Sequence, residues 1–323
     1  MRNCDVLVIG AGPAGLYATY YAGFRGFDTI LMDALPELGG QITAMYPEKS
    51  IFDVAGFPDV KGRDLIDGLV TQMKAHSPTV LLNEMALSLT TDEDYVHVAT
   101  ASGEVIQAKA IVICGGIGSF TPRELSALAN YESRGLSYFV PQLDVHKGKD
   151  VVIVGGGDSA FDWALSLAPM ARSIKIVHRR DTFRAHATSV DAVKELGIEL
   201  ITESEVTGAA GGEWLSEITV THKDGSVREL PCQSVVAALG FVANIGPLAD
   251  WGIEVKKRHI VVDSAMRTNI PRVFAAGDIT TYDGKVPLIS VGFGEAATAI
   301  NNASPLIDPT HGTFPGHSSG GGE

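Results

Sequence analysis

Two glycine-rich turns carry most of the chemical information in this chain of 323 residues. The first, residues 10–15 (GAGPAG), contains Gly10, Gly12, Pro13, Ala14 and Gly15 and is followed by an acid, Asp33. The second, residues 155–160 (GGGDSA), contains Gly155, Gly157, Asp158 and Ser159. There the position matching Asp33 is His178, with Arg179, Arg180 and Arg184 close behind. Glycines at this spacing suit a pyrophosphate. One permits the sharp turn, one lets the backbone approach the phosphates, and one lets helix and strand pack closely. The helix that follows presents free N–H groups and a partial positive charge. The exchange of acid for base separates the two sites. A carboxylate hydrogen-bonds a ribose 2′-hydroxyl and repels a 2′-phosphate, whereas guanidinium groups pair with the phosphate. The first turn is therefore expected to hold an unphosphorylated adenosine ribose, as in FAD or NAD, and the second to hold NADP(H).

Each turn needs a strand before it and a helix after it. Residues 4–9 (CDVLVI) read as a buried strand, 14–25 as an apolar helix and 28–32 as a second strand ending at Asp33. The pattern recurs with strand 150–154, a helix reaching about Leu167, and strand 173–177. Strand 110–114 runs into Gly115-Gly116, and strand 234–238 into Leu239-Gly240, both readable as crossings between domains. Alternating segments 217–220 and 227–230 predict a hairpin turning at 223–226. Strand 273–276 ends in Gly277-Asp278, and a helix is expected after Ser290. The implied fold is α/β: two Rossmann-like, three-layer dinucleotide-binding domains, the second inserted in the first. The boundaries read as 1–116 with 241–323 for the first dinucleotide-binding domain, taking FAD or NAD, and 117–240 for an NADP(H)-binding domain.

A net charge of −13 argues against a nucleic-acid footprint or a polybasic membrane surface. The apolar start of the chain superficially resembles a signal peptide. Asp5 and the glycines with Pro13 fit a strand–turn–helix better, and no segment has the unbroken apolar length of a membrane span. Three cysteines, Cys4, Cys114 and Cys232, are far apart and form no C-x-x-C pair. That spacing fits a reducing, cytoplasmic setting and suggests no metal site.

The doubled unit, residues 275–278 (AAGD) and residues 178–185 (HRRDTFRA) resemble the two-domain flavin disulfide reductases, in particular thioredoxin reductases. Those enzymes reduce a C-x-x-C pair just before the second glycine turn, and residues 140–149 here hold no cysteine. Over nearly its whole length the chain is similar instead to the thioredoxin-reductase-like ferredoxin–NADP reductases. The segments that carry this are 39–48 (GGQITAMYPE), 52–58 (FDVAGFP) and 314–319 (FPGHSS).

The resemblance implies that Gly10, Gly12 and Gly15 hold the FAD pyrophosphate and Asp33 the ribose. Gln41 would meet the flavin's polar end and Tyr46 one face of its ring. Ala86 would approach the adenine, Phe120 would pack near the cofactor, and Asp278 would accept a hydrogen bond from the ribityl chain. His317 and Ser318 would cover the other flavin face. It further implies a homodimer that passes electrons from NADPH through FAD to ferredoxin or flavodoxin, with no acid or base residue required. Lys256, Lys257, Arg258 and His259 form the densest basic run available to an acidic partner. Two other readings stay open: an NADPH-dependent diaphorase reducing quinone or oxygen, and a non-catalytic FAD-dependent sensor.

Overall fold

The computed structural model describes residues 1–314 and 316. They divide into two units, Met1–Phe120 with Ala243 onward, and Thr121–Val242.

The first unit is built on a seven-stranded sheet. Its parallel part runs Thr79–Leu81, Thr29–Met32, Arg2–Ile9, Val105–Ile113 and Val273–Ala275. Val105–Ile113 is long enough to do two things. Its first half pairs antiparallel with Val96–Thr100, which pairs in turn with Ala86–Thr91. Its second half pairs parallel with Val273–Ala275. The strands Arg2–Ile9 and Val105–Ile113 supply Val6, Leu7, Val8, Ile111, Val112 and Ile113, all fully buried. Such continuous apolar runs are what a parallel strand covered on both faces demands. Helix Pro13–Phe24 follows the first strand and packs against helices Gly62–Lys74 and Ile289–Ile307. The last of these begins slightly before the expected position and continues through Pro305 into its final turn.

The second unit repeats the plan. Its parallel sheet runs Glu199–Ile201, Ser173–Val177, Asp150–Val154, Ser234–Ala237 and Leu136–Ser137. Helix Asp158–Leu167 follows Asp150–Val154, as Pro13–Phe24 follows Arg2–Ile9. The expected hairpin is present as Leu215–His222 and Val227–Pro231, and an unanticipated strand, Ser204–Gly211, makes it a three-stranded meander.

One buried polar group in this unit has a measurable consequence. His146 is 1% exposed, with Nδ1 hydrogen-bonded to the Ser234 hydroxyl at 2.8 Å. Its Nε2 has no partner among the described residues. Burial, helped by Lys149, pushes the imidazole down to about 4. Because the unfolded chain takes up a proton at the ordinary value near 6.5, the stability that neutral His146 confers is present above that pH. It is lost progressively as pH falls toward 4, by about 2–3 kcal/mol. Urea midpoints measured from pH 7 to pH 5 should fall more steeply for the wild type than for His146→Gln; parallel profiles would remove His146 as the cause.

Candidate functional site

The first glycine turn is shaped by its neighbours. Gly10 has φ +105°, and a Cβ there would lie 2.4 Å from the Cys114 carbonyl oxygen. A Cβ on Gly15 would lie 1.7 Å from the Gly10 oxygen, so helix and turn touch through bare backbone. Gly12 differs: a Cβ there would meet nothing within 4 Å. Gly12 is also the N-cap of helix Pro13–Phe24, and no side chain caps that end. The first-turn N–H groups therefore point at space that a ligand can fill. Asp33 ties the turn together, its Oδ2 accepting the Ala11 N–H at 2.5 Å and its Oδ1 the Leu35 N–H at 2.8 Å. Burial raises its pKa, and those two backbone donors oppose the rise.

A cavity of about 470 Å³ opens in front of this turn. Gly10, Gly12, Pro13, Ala14, Asp33, Gln41, Tyr46, Ala86 and Asp278 all line it, which brings together nine positions singled out from sequence. Gly15 packs behind the turn instead. Ile245, Pro247 and Leu248, just after the second crossing, also line the cavity and were not anticipated. Their apolar character gives no local signal of a ligand. Tyr46 lies close enough to Asp278 to feel its charge. Burial first, then the carboxylates of Asp278 and Asp53, raises the Tyr46 phenol. Burial likewise raises Asp278, partly offset by Lys285. Leu288, Ile289 and Gly292, at the start of helix Ile289–Ile307, complete the wall. His317, Ser318 and the Phe120 side chain lie outside the described residues.

The second turn has the same construction. Gly157 is the N-cap of helix Asp158–Leu167, again without a side-chain cap, and a Cβ on it would meet nothing within 4 Å. A Cβ on Gly155 would lie 2.5 Å from the Ala238 oxygen, and one on Gly156 would strike the His178 ring. The segment after His178 folds back onto the turn. The Arg184 N–H donates to the Gly156 oxygen at 2.7 Å, and the His186 N–H donates to Asp158 Oδ1 at 2.8 Å. Phe183 packs edge-on against Phe161 with ring centroids 4.9 Å apart. Arg179 and Arg180 are exposed, and neither makes a salt bridge among the described residues. Ser159 is exposed at the helix start. In a chain of net charge −13, guanidinium groups left without carboxylates are positioned for an anion. The basic run at 256–259 forms a hairpin turn, Lys257 and Arg258 both having positive φ, with Lys256, Lys257 and Arg258 exposed.

A fold of two dinucleotide-type units, each with an open-faced glycine turn, defines a class of nucleotide-dependent oxidoreductases. The chain belongs to the pyridine nucleotide-disulphide oxidoreductase family, whose profile matches residues 4–303. Its relatives narrow the placement to ferredoxin–NADP reductases built on the thioredoxin reductase fold. It is 59% identical over 323 residues to a ferredoxin–NADP reductase of Nocardioides sp. (strain ATCC BAA-499 / JS614), covering 99% of this chain and 98% of that protein. A ferredoxin–NADP reductase of Frankia casuarinae is 55% identical over 318 residues, covering 98% and 99%. Among solved structures, the Lactococcus lactis thioredoxin reductase (FR conformation) superposes with a TM-score of 0.78 at 27% identity, over 94% of this chain and 99% of that one.

Proposed function

We propose that the chain is a ferredoxin–NADP reductase that binds FAD in the first unit and NADP(H) in the second. The observation that carries this reading is the pair of uncapped glycine turns. Gly12 and Gly157 both face open space, one turn backed by Asp33 and the other by Arg179 and Arg180, exposed and without a salt bridge among the described residues. The glycine-walled cavity suits FAD by the backbone donors of its turn and by Gln41, Tyr46 and Asp278 among its lining residues.

FAD, when bound, supplies the exchange between two-electron chemistry with NADPH and single-electron chemistry with ferredoxin. The protein's part is placement. Gly12 and the first turn of helix Pro13–Phe24 hold the pyrophosphate, and Asp33 faces the ribose. Tyr46 offers a broad ring with a polar edge to the isoalloxazine. Asp278 accepts from the ribityl chain, and the amino end of helix Ile289–Ile307 adds a favourable partial positive charge. Arg179 and Arg180, with Arg184 beside them, grip the 2′-phosphate, while Gly157, Asp158 and Ser159 flank the nucleotide's pyrophosphate. His178 seats the strand end against Gly156. No side chain is assigned as acid or base.

The thiols support direct exit of electrons from the flavin. Cys4, Cys114 and Cys232 are all buried and free. Burial is the main cause that drives Cys4 and Cys232 up to about 12, and it raises Cys114 as well, so all three stay protonated and unreactive near neutral pH. Free buried thiols also fit a cytoplasmic protein. No described helix is long and apolar enough to cross a membrane. A homodimer, and flavodoxin as an alternative acceptor, complete the proposal.

The test is NADPH oxidation coupled to purified ferredoxin, run on the wild type and on a variant with all three cysteines replaced by alanine. Both should turn over ferredoxin at similar rates, within a factor of about three. Turnover with quinone or oxygen but not ferredoxin would transfer the proposal to a diaphorase. Loss of ferredoxin turnover in a folded, FAD-replete cysteine-free variant would restore a thiol relay.

A further inference from the structure

Helix Ile289–Ile307 buries a stripe of Gly292, Ala296, Ala299, Ile300 and Ala303, and within that stripe sits one carboxylate, Glu295. Glu295 is 4% exposed. A carboxylate withdrawn from water is strongly disfavoured unless it is paired and hydrogen-bonded. Here it is both. Its Oε2 accepts the Gly277 N–H at 2.7 Å, and its Oε1 accepts the Tyr282 hydroxyl at 2.6 Å and the Lys285 ammonium. The Lys285 side chain is only 10% exposed, and its Nζ also donates to the Gly277 carbonyl oxygen at 3.1 Å.

The two charges therefore clamp Gly277 from both sides, one through its N–H and the other through its carbonyl. Gly277 has φ +82° and leads directly into Asp278, whose carboxylate lines the cavity. Among the described residues Asp278 itself makes no side-chain hydrogen bond, so its direction is set by the backbone that carries it. A well-packed apolar pair could replace a buried ion pair with little loss of stability. What an apolar pair could not do is accept the Gly277 N–H and reinforce its carbonyl, which also accepts the Thr280 N–H at 3.0 Å and hydroxyl at 2.8 Å. The charge is also felt at the site, because Lys285 favours the ionised Asp278 and Glu295 opposes it.

We propose that Lys285 and Glu295 are positioning residues for the flavin, fixing the Gly277–Asp278 turn so that Asp278 meets the cofactor's ribityl chain in the cavity. The proposal rests on the reading of this cavity as the FAD site. The pair acts through the turn and is not expected to touch the cofactor.

The experiment is FAD titration of the apoprotein, followed by flavin circular dichroism and thermal unfolding of the apoprotein, for wild type, Lys285→Met, Glu295→Gln, Glu295→Leu and the double variant. Lys285→Met leaves Glu295 buried and uncompensated, and should lower both unfolding temperature and FAD affinity. The double variant, Lys285→Met with Glu295→Leu, removes both charges and both polar contacts to Gly277 while roughly keeping the shapes. It should regain most of the unfolding temperature yet bind FAD roughly tenfold or more weakly, with an altered dichroism band. Glu295→Gln keeps Lys285 on the Gly277 carbonyl and should fall between wild type and double variant in FAD affinity. An FAD dissociation constant within twofold of wild type in the double variant or in Lys285→Met would overturn the proposal, leaving the pair a stabilising contact only. If neither variant containing Lys285→Met folds, Glu295→Leu, which removes the acceptor of the Gly277 N–H, decides: wild-type affinity and dichroism in that folded variant refute the proposal. A wild-type apoprotein that takes up no FAD would instead refute the cofactor reading, which separates the two failures.

Discussion

Gly12→Val should give a protein that folds but no longer retains FAD. A Cβ at Gly12 meets no protein atom within 4 Å, and its backbone is in an extended conformation that valine accepts. The added methyls enter the space in front of the uncapped helix end, where the pyrophosphate would sit. Apoprotein unfolding temperature should stay within a few degrees of wild type, whereas FAD affinity should fall by roughly 100-fold. Gly15→Ala is the contrasting control. Its Cβ would lie 1.7 Å from the Gly10 oxygen, so that variant should lose stability whether FAD is present or not. If Gly12→Val binds FAD as tightly as wild type, the pyrophosphate does not lie at this turn.

The second large effect concerns nucleotide choice. Replacing Arg179 and Arg180 together with glutamine should lower kcat/KM for NADPH by a factor of roughly 100 and leave NADH nearly untouched. Among the described residues neither arginine has a carboxylate partner to release, and both stand on a segment held to the glycine turn by Arg184 and His186. The substitution should therefore remove phosphate pairing without loosening the loop. Steady-state kinetics with both nucleotides measure it. Equal losses for NADPH and NADH would mean that the arginines steer nucleotides generally and do not recognise the 2′-phosphate.

How much of this could be read from residue order depended on how local the determining contacts are. The strand–turn–helix at each glycine motif was legible, because Gly10, Gly15 and Gly155 are required by packing against backbone close by or on the adjoining strand. So was the hairpin from Leu215 to Pro231, with its short turn and alternating apolar residues. The strand Ser204–Gly211 was not. Gly208, Ala209, Ala210 and Gly211 are poor strand formers by themselves, and pairing with Leu215–His222 supplies what propensity lacks. Ile245 and Leu248 look like ordinary core residues until the return of the chain sets them against the cavity. Glu295 offered one faint signal, a lone acid in a run of glycine and alanine. Its meaning emerges only when the helix register brings it under Gly277, beside a lysine ten residues earlier in the chain. Tertiary pairing of that kind leaves no periodic trace.

The most direct measurement is rapid mixing of the purified, FAD-loaded protein with NADPH, followed by oxidised ferredoxin in a second mix without oxygen. The flavin's visible absorbance should bleach with NADPH and return as ferredoxin is reduced, in the cysteine-free variant as in the wild type. A flavin that keeps its colour after NADPH, or one that bleaches but never passes electrons to ferredoxin, would contradict the proposed route from the second unit's nucleotide through the first unit's cofactor.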